Sequence, residues 1–313
     1  MNRLAPGREA MEAVAEALGG RARRDVPLGP LTTYRVGGAA VLFLEANNVD
    51  DLLVASAAVR AAWLPVLVVG KGSNLLVSDR GFPGLAIALG EHFVRVVIDG
   101  PIVRAGAAVA LPVVARRTAA AALTGFEWAV GVPGSIGGAV RMNAGGHGSD
   151  MAAVLHRVRL VDLLTGADRA MSASELALGY RTSAVAAHHV VTEAELGLAV
   201  GDRAAAEAEI ADVVRWRRAN QPGGQNAGSV FTNPADESAG WLIDRAGCRG
   251  LRRGTAQVSP KHANFIIADD GGRADDVWAL MVEVRRRVAA AHGVVLHPET
   301  HLIGFEPLPE VEG

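Results

Sequence analysis

The sequence predicts a folded protein that combines helices with many short strands. Half of its 313 residues are hydrophobic and a fifth are charged, which is the balance of a folded soluble protein. Amphipathic stretches alternate with short apolar runs bounded by turn residues. The third observation is a glycine-rich stretch, Phe126–Ser149, around which the rest of the chain is organised. This length allows one large domain or two to three small ones.

The elements follow in order along the chain. Asp50 and Asp51 suit the first turn of a helix, and Gly293 ends the last one. Helices are predicted at 11–18, 49–62, 110–123, 202–219, 238–246 and 275–291. Strands are predicted at 41–46, 65–69, 75–78, 85–89, 94–98, 102–105, 190–198, 256–258 and 264–268, with a hairpin over 154–169 and a strand pair, or a strand and a bend, over 294–305.

Composition and charge argue against several classes of partner. A net charge of −2 and the lack of a basic stripe with interleaved aromatic residues argue against nucleic acid binding. The single cysteine, Cys248, excludes an internal disulfide and a cysteine-rich zinc site. No HExxH motif occurs, and His188 and His189 are adjacent, which is a poor spacing for shared metal binding. We therefore expect no metal site.

Nothing in the sequence indicates secretion or membrane insertion. Residues 1–20 carry charges through their apolar part and do not read as a signal peptide. The most apolar long run, 119–140, contains Glu127, Pro133 and five glycines, so it is a poor membrane span. We expect a cytoplasmic monomer, although the sequence does not settle the oligomeric state.

Two glycine-containing segments are suited to phosphate binding. Glycine density lets a backbone turn freely and approach a ligand, and exposed N–H groups form concave sites for phosphate oxygens. The first segment, GKGSN at 70–74, follows a predicted strand; it is not a Walker loop, and Leu75 stands where a dinucleotide fingerprint needs its third glycine. The second, Phe126–Ser149, fits a flexible linker poorly because large apolar residues are interleaved through it: Trp128, Val130, Val132, Ile136, Val140 and Met142. Together the two segments suit a pyrophosphate.

Eight short sequence motifs along the chain, called words below, resemble those of a known family. They occur in the family's order and span almost the whole chain after Leu31. The words are TTYRVGG (32–38), VVGKGSNLLVSD (68–79), GVPGSIGGAVRMNAG (131–145), YRTS (180–183), NAGSVFTNP (226–234), AGWLIDRAGCRG (239–250), QVSPKHANF (257–265) and HPET (297–300). The chain thereby resembles the UDP-N-acetylenolpyruvoylglucosamine reductases, the MurB family, in its short type lacking an extra substrate-covering loop.

The resemblance implies the fold and the reaction. The fold class would be α+β, with a two-subdomain FAD-binding domain of the vanillyl-alcohol-oxidase (PCMH) type and a smaller C-terminal α/β substrate domain. The chain would divide into a lead segment (1–30), the FAD domain (31–201), the substrate domain (202–296) and a return segment (297–313). The family reduces the enolpyruvyl ether of UDP-N-acetylglucosamine to UDP-N-acetylmuramate in peptidoglycan synthesis, with non-covalent FAD and with NADPH as hydride source.

The resemblance also implies site residues. Arg181 would stabilise charge at the substrate carboxylate, Ser229 would protonate the charged carbon, and Glu299 would assist at the carboxylate. Candidate substrate contacts are Arg218, Asn233, Lys261 and His262. Candidate FAD contacts are Gly70, Lys71, Gly72, Ser73, Asn74, Leu75, Val132, Pro133, Gly134, Ser135, Gly137, Gly138, Asn143 and Gly145.

Two departures from the family pattern leave room for alternatives. Lys71 replaces a common glycine and either adds a phosphate contact or points to solvent, and Val185 stands where an aromatic residue is usual. The alternatives are a flavin oxidase of the same fold and a non-catalytic UDP-sugar binding relative. The Ser229 and Glu299 words argue against the oxidase, and retention of all three catalytic candidates argues against the binding relative.

Overall fold

The structure is a computed structural model that describes residues 7–311. Its helices are α1 (Arg8–Leu18), α2 (Val49–Ala62), α3 (Leu111–Ala120), α4 (Ile136–Met142), α5 (Arg203–Asn220), α6 (Ala239–Arg245) and α7 (Ala274–His292). Its strands are β1 (Ala22–Pro27), β2 (Ala39–Ala46), β3 (Val66–Val69), β4 (Leu75–Val77), β5 (Phe82–Leu89), β6 (Val96–Asp99), β7 (Ile102–Gly106), β8 (Leu123–Thr124), β9 (Gly145–Gly146), β10 (Ser149–Asp150), β11 (Leu155–Asp162), β12 (Asp168–Ser172), β13 (His189–Gly197), β14 (Ala199–Val200), β15 (Arg252–Arg253), β16 (Ala256–Val258), β17 (Ile266–Ala268) and β18 (His301–Ile303).

The chain forms two compact units, and each unit is built from separate chain segments. The first contains residues up to Arg24, Val41–Lys71 and Pro83–Arg217, and the second contains Asp25–Ala40, Gly72–Phe82 and the chain from Arg218 onward. The four predicted domain ranges stay a prediction. The fold as a whole combines helices and strands, in agreement with the expected α+β class.

The first unit contains two sheets and two hydrophobic cores. One sheet has the order β12-β11-β13-β7-β6, and its neighbouring strands pair antiparallel. The other has the order β1-β2-β5-β3, and β3 pairs with β5 in parallel. One core gathers side chains of the first sheet with those of α3 and α4, whereas the other gathers those of α1 and α2 with strands of the second sheet.

The second unit has one continuous core. Side chains of α6, α7 and the β15-β16-β17 sheet share it with Tyr34, Val36 and Leu76, which come from the earlier segments of the chain. Strand β18 pairs in parallel with β4, so His301 lies opposite Leu75. The chain therefore returns after α7 as an ordered strand.

Local signals placed most helices correctly. Helix α2 has the predicted bounds because Asn48 caps it by accepting a hydrogen bond from the Asp51 N–H at 2.9 Å, and Trp63 ends it in the left-handed conformation. The hairpin is the β11–β12 pair. Helix α3 is shorter than predicted, since the chain leaves it at Ala121 and forms β8.

Two sequence predictions were wrong. The glycine-rich stretch is not a loop throughout: Ser135 caps a helix, α4, whose buried Ile136 and Val140 anchor it in the core. The lead segment contains a strand, β1, at the edge of its sheet. Its composition, ARRDVP, is polar, so its strand state depends on pairing with β2 and not on its own residues.

Candidate active site

A cavity lies in the first unit where the two glycine-containing segments meet. Its volume is about 100 Å³, and it is open to solvent on one side. A Cβ on Gly70 would lie 2.6 Å from the Ser135 hydroxyl oxygen, closer than real Cβ contacts come. That hydroxyl accepts a hydrogen bond from the Gly138 N–H at 3.4 Å. Glycine at position 70 is therefore what lets the two segments approach each other.

Gly72, Ser73 and Asn74 of the GKGSN word belong to the second unit. Gly72 has φ +59°, and a Cβ there would lie 2.2 Å from the Leu31 carbonyl oxygen. The Asn74 side chain donates to the carbonyl of Glu299 at 3.1 Å, and the Asn74 carbonyl accepts from the His301 N–H at 3.0 Å. Ser73 and Leu75 flank this contact, and Leu75 begins β4. A predicted cofactor word and the predicted catalytic word HPET are thus joined within one unit.

The side chain of Asn143 is committed to hydrogen bonds within the protein. Its side-chain NH₂ group donates to Asp150 at 3.1 Å and to the Gly179 carbonyl at 3.0 Å, and its side-chain oxygen accepts from the Ala152 N–H at 2.9 Å. The amide is buried and both donors are used. Any contact of Asn143 with a cofactor would therefore come from its backbone.

Arg181 sits on a tight turn of the first unit. Gly179 and Thr182 exchange both backbone hydrogen bonds, at 3.1 and 3.2 Å, so Tyr180 and Arg181 form the tip. Arg181 has φ +58°, a left-handed conformation that costs a non-glycine residue about 1 kcal/mol or more. Its guanidinium lies over the Tyr180 ring at 5.2 Å and donates to the Gly145 carbonyl at 3.3 Å. An arginine held in a strained conformation is a signal of function.

Ser229 and Glu299 meet at a junction in the second unit. The Val230 carbonyl accepts a hydrogen bond from the Glu299 N–H at 2.8 Å, and Phe231 is bridged to Pro298. Ser229 directly precedes Val230 and is half-buried, as is Glu299. Two catalytic candidates separated by 70 residues in sequence are therefore adjacent along paired backbone.

A buried asparagine holds this junction. The Asn264 side chain accepts from the Phe231 N–H at 3.0 Å and donates to the Phe231 carbonyl at 2.8 Å, in the manner of a neighbouring strand. The Asn264 carbonyl also accepts from the Val230 N–H at 2.9 Å. The amide of Asn264, which lies in the QVSPKHANF motif, is therefore committed to the backbone.

The four candidate substrate residues differ in how free their side chains are. Asn233 is exposed and its side-chain oxygen accepts from the Ala239 N–H at 3.0 Å, while the Lys261 amine donates to the Arg218 carbonyl at 2.6 Å. The Arg218 side chain is exposed. Burial lowers the pKa of His262, and its ring packs edge-on against Phe265. His262 is therefore neutral at pH 7.

The two adjacent histidines do reach a shared group, contrary to the sequence argument. His188 Nε2 and His189 Nε2 lie 3.7 and 3.9 Å from the two carboxylate oxygens of Asp162. His189 Nδ1 accepts from the Ala186 N–H, so the neutral ring carries its proton on Nε2, toward the carboxylate. A metal needs that nitrogen deprotonated, so the cluster is arranged as an imidazole–carboxylate group.

The lining of the cavity suits the pyrophosphate part of a flavin dinucleotide. Its walls are largely apolar, and Gly70, Gly137 and Gly138 leave room where side chains would fill it. Lys71, in the loop after β3, and Arg141, on α4, supply positive charge to the lining. Sequence reasoning overlooked Arg141, although it follows Gly137 by four residues and so shares its helix face once α4 is recognised. Val185, the second departure from the family pattern, is buried in the wall.

Comparisons with known proteins identify this kind of site. Residues 40–167 match the model of the FAD binding domain, so the class is a flavoprotein. Residues 220–303 match the model of the UDP-N-acetylenolpyruvoylglucosamine reductase C-terminal domain.

Relatives that align with almost the whole chain confirm the family. The chain is 42% identical over 293 residues to the UDP-N-acetylenolpyruvoylglucosamine reductase of Granulibacter bethesdensis, covering 93% of this chain and 94% of the relative. It is 44% identical over 304 residues to that of Methylorubrum extorquens, covering 96% and 97%. The crystal structure of MurB from Thermus caldophilus superposes with a TM-score of 0.79 at 36% identity, covering 90% and 99%. The chain belongs to the UDP-N-acetylenolpyruvoylglucosamine reductase (MurB) family, as its sequence words predict.

Proposed function

We propose that Arg181, Ser229 and Glu299 carry the chemistry of this chain's reaction. The chain is an NADPH-dependent flavoprotein oxidoreductase that reduces the enolpyruvyl ether of UDP-N-acetylglucosamine to UDP-N-acetylmuramate, a step of peptidoglycan precursor synthesis. When bound, FAD would supply the chemistry of hydride transfer between NADPH and the methylene carbon of the enol ether. The protein's own residues then manage the charge and the proton at the neighbouring carbon.

Arg181 stabilises the negative charge that develops at the carboxylate-bearing carbon and spreads into the carboxylate. A guanidinium is always charged and can donate two parallel hydrogen bonds to a carboxylate. The tight turn supports this role, because it holds the Arg181 side chain at its tip although the backbone there is strained. Preorganised charge of this kind acts mainly in the transition state.

Ser229 donates the proton to that carbon. Its hydroxyl is a weak acid, but the acceptor is strongly basic and the proton moves only as the negative charge develops. The observation that carries the proposal is the junction, where the N–H of Glu299 is bonded to the residue after Ser229. Because Asn264 fixes the same backbone, the serine is held on a rigid segment.

Glu299 acts beside the substrate carboxylate. Two carboxylates at one site resist double ionisation, so Glu299 shares a proton there or relies on a neighbouring cation. The contact from Asn74 to its carbonyl supports an ordered position for this residue. Binding of the substrate's UDP group by Arg218, Asn233, Lys261 and His262 is part of the same proposal, and exposed Arg218 is the freest of these side chains.

The FAD would occupy the cavity of the first unit. Gly70, Lys71, Ser135, Gly137 and Gly138 line it and would contact the pyrophosphate. The remaining predicted FAD contacts, in the second unit and around 132–134 and 143–145, stay predictions. The cofactor is expected to be non-covalent, in which case acid precipitation leaves the yellow colour in the supernatant.

Rapid kinetics of Ser229→Ala tests the catalytic assignment. NADPH should bleach the flavin at a near wild-type rate, since Ser229 acts after that step. Reoxidation by the enolpyruvyl substrate should slow by about two to four orders of magnitude, which is the usual effect of a positioned acid. Ser238→Ala, a serine that caps α6, is the matched control and should leave both rates unchanged. Equal slowing of both half-reactions in Ser229→Ala would refute the assignment.

We also propose that the protein works in the cytoplasm as a monomer, since its nucleotide substrates are found there. No helix within residues 7–311 combines the length and apolarity that a membrane crossing requires. Analytical ultracentrifugation of the purified protein checks the monomeric state.

A further inference from the structure

The guanidinium groups of three arginines are partly buried, and they differ in the groups that take the place of water. Burial lowers the pKa of Arg141, Arg217 and Arg285. Arg217 donates to the Gly131 carbonyl, and Arg285 donates to the carbonyls of Leu296 and Pro309 at 2.9 and 2.7 Å. Two of the three guanidinium groups thus exchange water for backbone oxygens.

The guanidinium of Arg141 has no such partner among residues 7–311. The hydrogen bond from the Ser183 hydroxyl, at 2.7 Å, goes to the backbone carbonyl of Arg141 and not to its side chain. The side chain lines the cavity, beside the apolar wall that includes Val185 and Val191. His189, the other titratable group of that wall, already pairs with the Ala186 N–H and faces Asp162. The cavity therefore contains a partly desolvated cation that lacks an anion.

A guanidinium in this situation favours an anionic ligand. An arginine cannot lose its proton at neutral pH, so its desolvation is offset only when an acceptor is bound. The planar fork of N–H donors matches phosphate oxygens, which it can bind in pairs. Gly70 and Ser135 also line this cavity, which the proposed function assigns to the pyrophosphate of FAD.

We infer that Arg141 binds an anionic oxygen of the FAD diphosphate, and so contributes to the choice of FAD over flavins that lack a diphosphate. This inference rests on the proposed location of FAD in the first unit. It assigns to α4 a charged contact in addition to the backbone contacts of the glycine segments. Lys71, exposed in the loop after β3, is a weaker second cation because it stays solvated.

Titration of flavin-free protein with FAD and with riboflavin tests the inference. Arg141→Gln should weaken FAD binding by about 10- to 100-fold, the usual effect of losing a hydrogen bond to a charged group. Riboflavin affinity should stay near the wild-type value, because riboflavin has no phosphate. Arg116→Gln, on the exposed face of α3, removes the same charge and should change neither affinity. Arg141→Lys keeps the charge without the fork and should recover part of the loss.

Distinct outcomes would overturn the inference. Wild-type FAD affinity in Arg141→Gln, or an equal loss for FAD and riboflavin, would show that Arg141 does not bind the diphosphate. If Arg141→Gln does not fold, Arg141→Lys decides, and unchanged FAD affinity in that variant would count against the inference. The Ser229→Ala half-reactions report on the proposed chemistry separately, so either proposal can fail while the other stands.

Discussion

The Arg181 turn and the Ser229–Glu299 junction hold their side chains in different ways. The turn is local: four consecutive residues close on themselves, and the conformational strain falls on Arg181 itself. The junction is non-local: backbone groups of segments 70 residues apart pair, and neither Ser229 nor Glu299 has a positive φ. A locally strained residue can be replaced without unfolding the protein, whereas a junction fails when its support is removed.

The largest effect is expected at the turn. Arg181→Gly removes the guanidinium and relieves the left-handed strain, since glycine adopts positive φ freely. We expect kcat/KM to fall by about 10²- to 10³-fold, as when a transition-state donor is lost. The melting temperature should stay equal or rise. A melting temperature several degrees lower would mean that Arg181 holds the fold, and the contrast with the junction would be lost.

At the junction, removal of a supporting side chain should lower the stability of the protein as well as its activity. Asn264→Ala leaves both backbone groups of Phe231 without their buried partner, which should cost about 2–3 kcal/mol of unfolding free energy. Reoxidation by substrate should slow as well, because Ser229 loses its support. Asn48→Ala, which removes the cap of α2, is the matched control: about 1 kcal/mol is lost and turnover is kept. Unchanged stability in Asn264→Ala would show that the junction does not depend on this amide.

A smaller effect is expected at Glu299. Glu299→Gln keeps the size of the side chain and the backbone pairing of the junction but removes the charge. If Glu299 acts mainly in the transition state, kcat and kcat/KM should fall together, by about tenfold or more, with little change in KM. Flavin reduction by NADPH should be intact. Steady-state kinetics that show an unchanged kcat would defeat this role.

The smallest effect is expected at Cys248, away from both regions. The thiol is fully buried with its sulfur 3.7 Å from the Ala246 carbonyl oxygen, and burial raises its pKa, so it is an inert thiol that serves as packing. Cys248→Ala should cost about 1 kcal/mol of stability through the small void it leaves. Turnover per bound FAD should be unchanged; a loss of turnover at wild-type stability would show that the residue has a chemical role.

Signals from residues close together in sequence were sufficient to predict several secondary-structure elements and the family of this protein. The Asn48 cap with Asp50 and Asp51 set the bounds of α2, and the turn at Leu164–Arg169 marked the hairpin. Short-range chemistry governs such features, because a cap or turn satisfies its own backbone groups. The ordered words likewise identified the family, since each word preserves a local backbone requirement, such as the glycine at position 72.

Tertiary structure alone decided the rest. Helix α4 forms in a glycine-rich stretch because Ile136 and Val140 are buried, and burial outweighs the low helix propensity of Gly137 and Gly138. Strand β1 depends on pairing with β2. Adjacent histidines reach one carboxylate because Asp162 comes from another strand.

The candidate site divides in the same way. The sequence by itself was enough to name the side chains that we propose carry the chemistry, because Arg181, Ser229 and Glu299 each stand in one of the family's motifs. Which groups hold them, and which cation lacks a partner, followed only from the fold. Asn264 bonds to Phe231 across 33 residues, and the Arg141 guanidinium has no hydrogen-bond partner among residues 7–311 in a cavity that many segments line. Hydrogen bonding and desolvation depend on neighbours in space, and a sequence specifies those neighbours only through the whole folded chain.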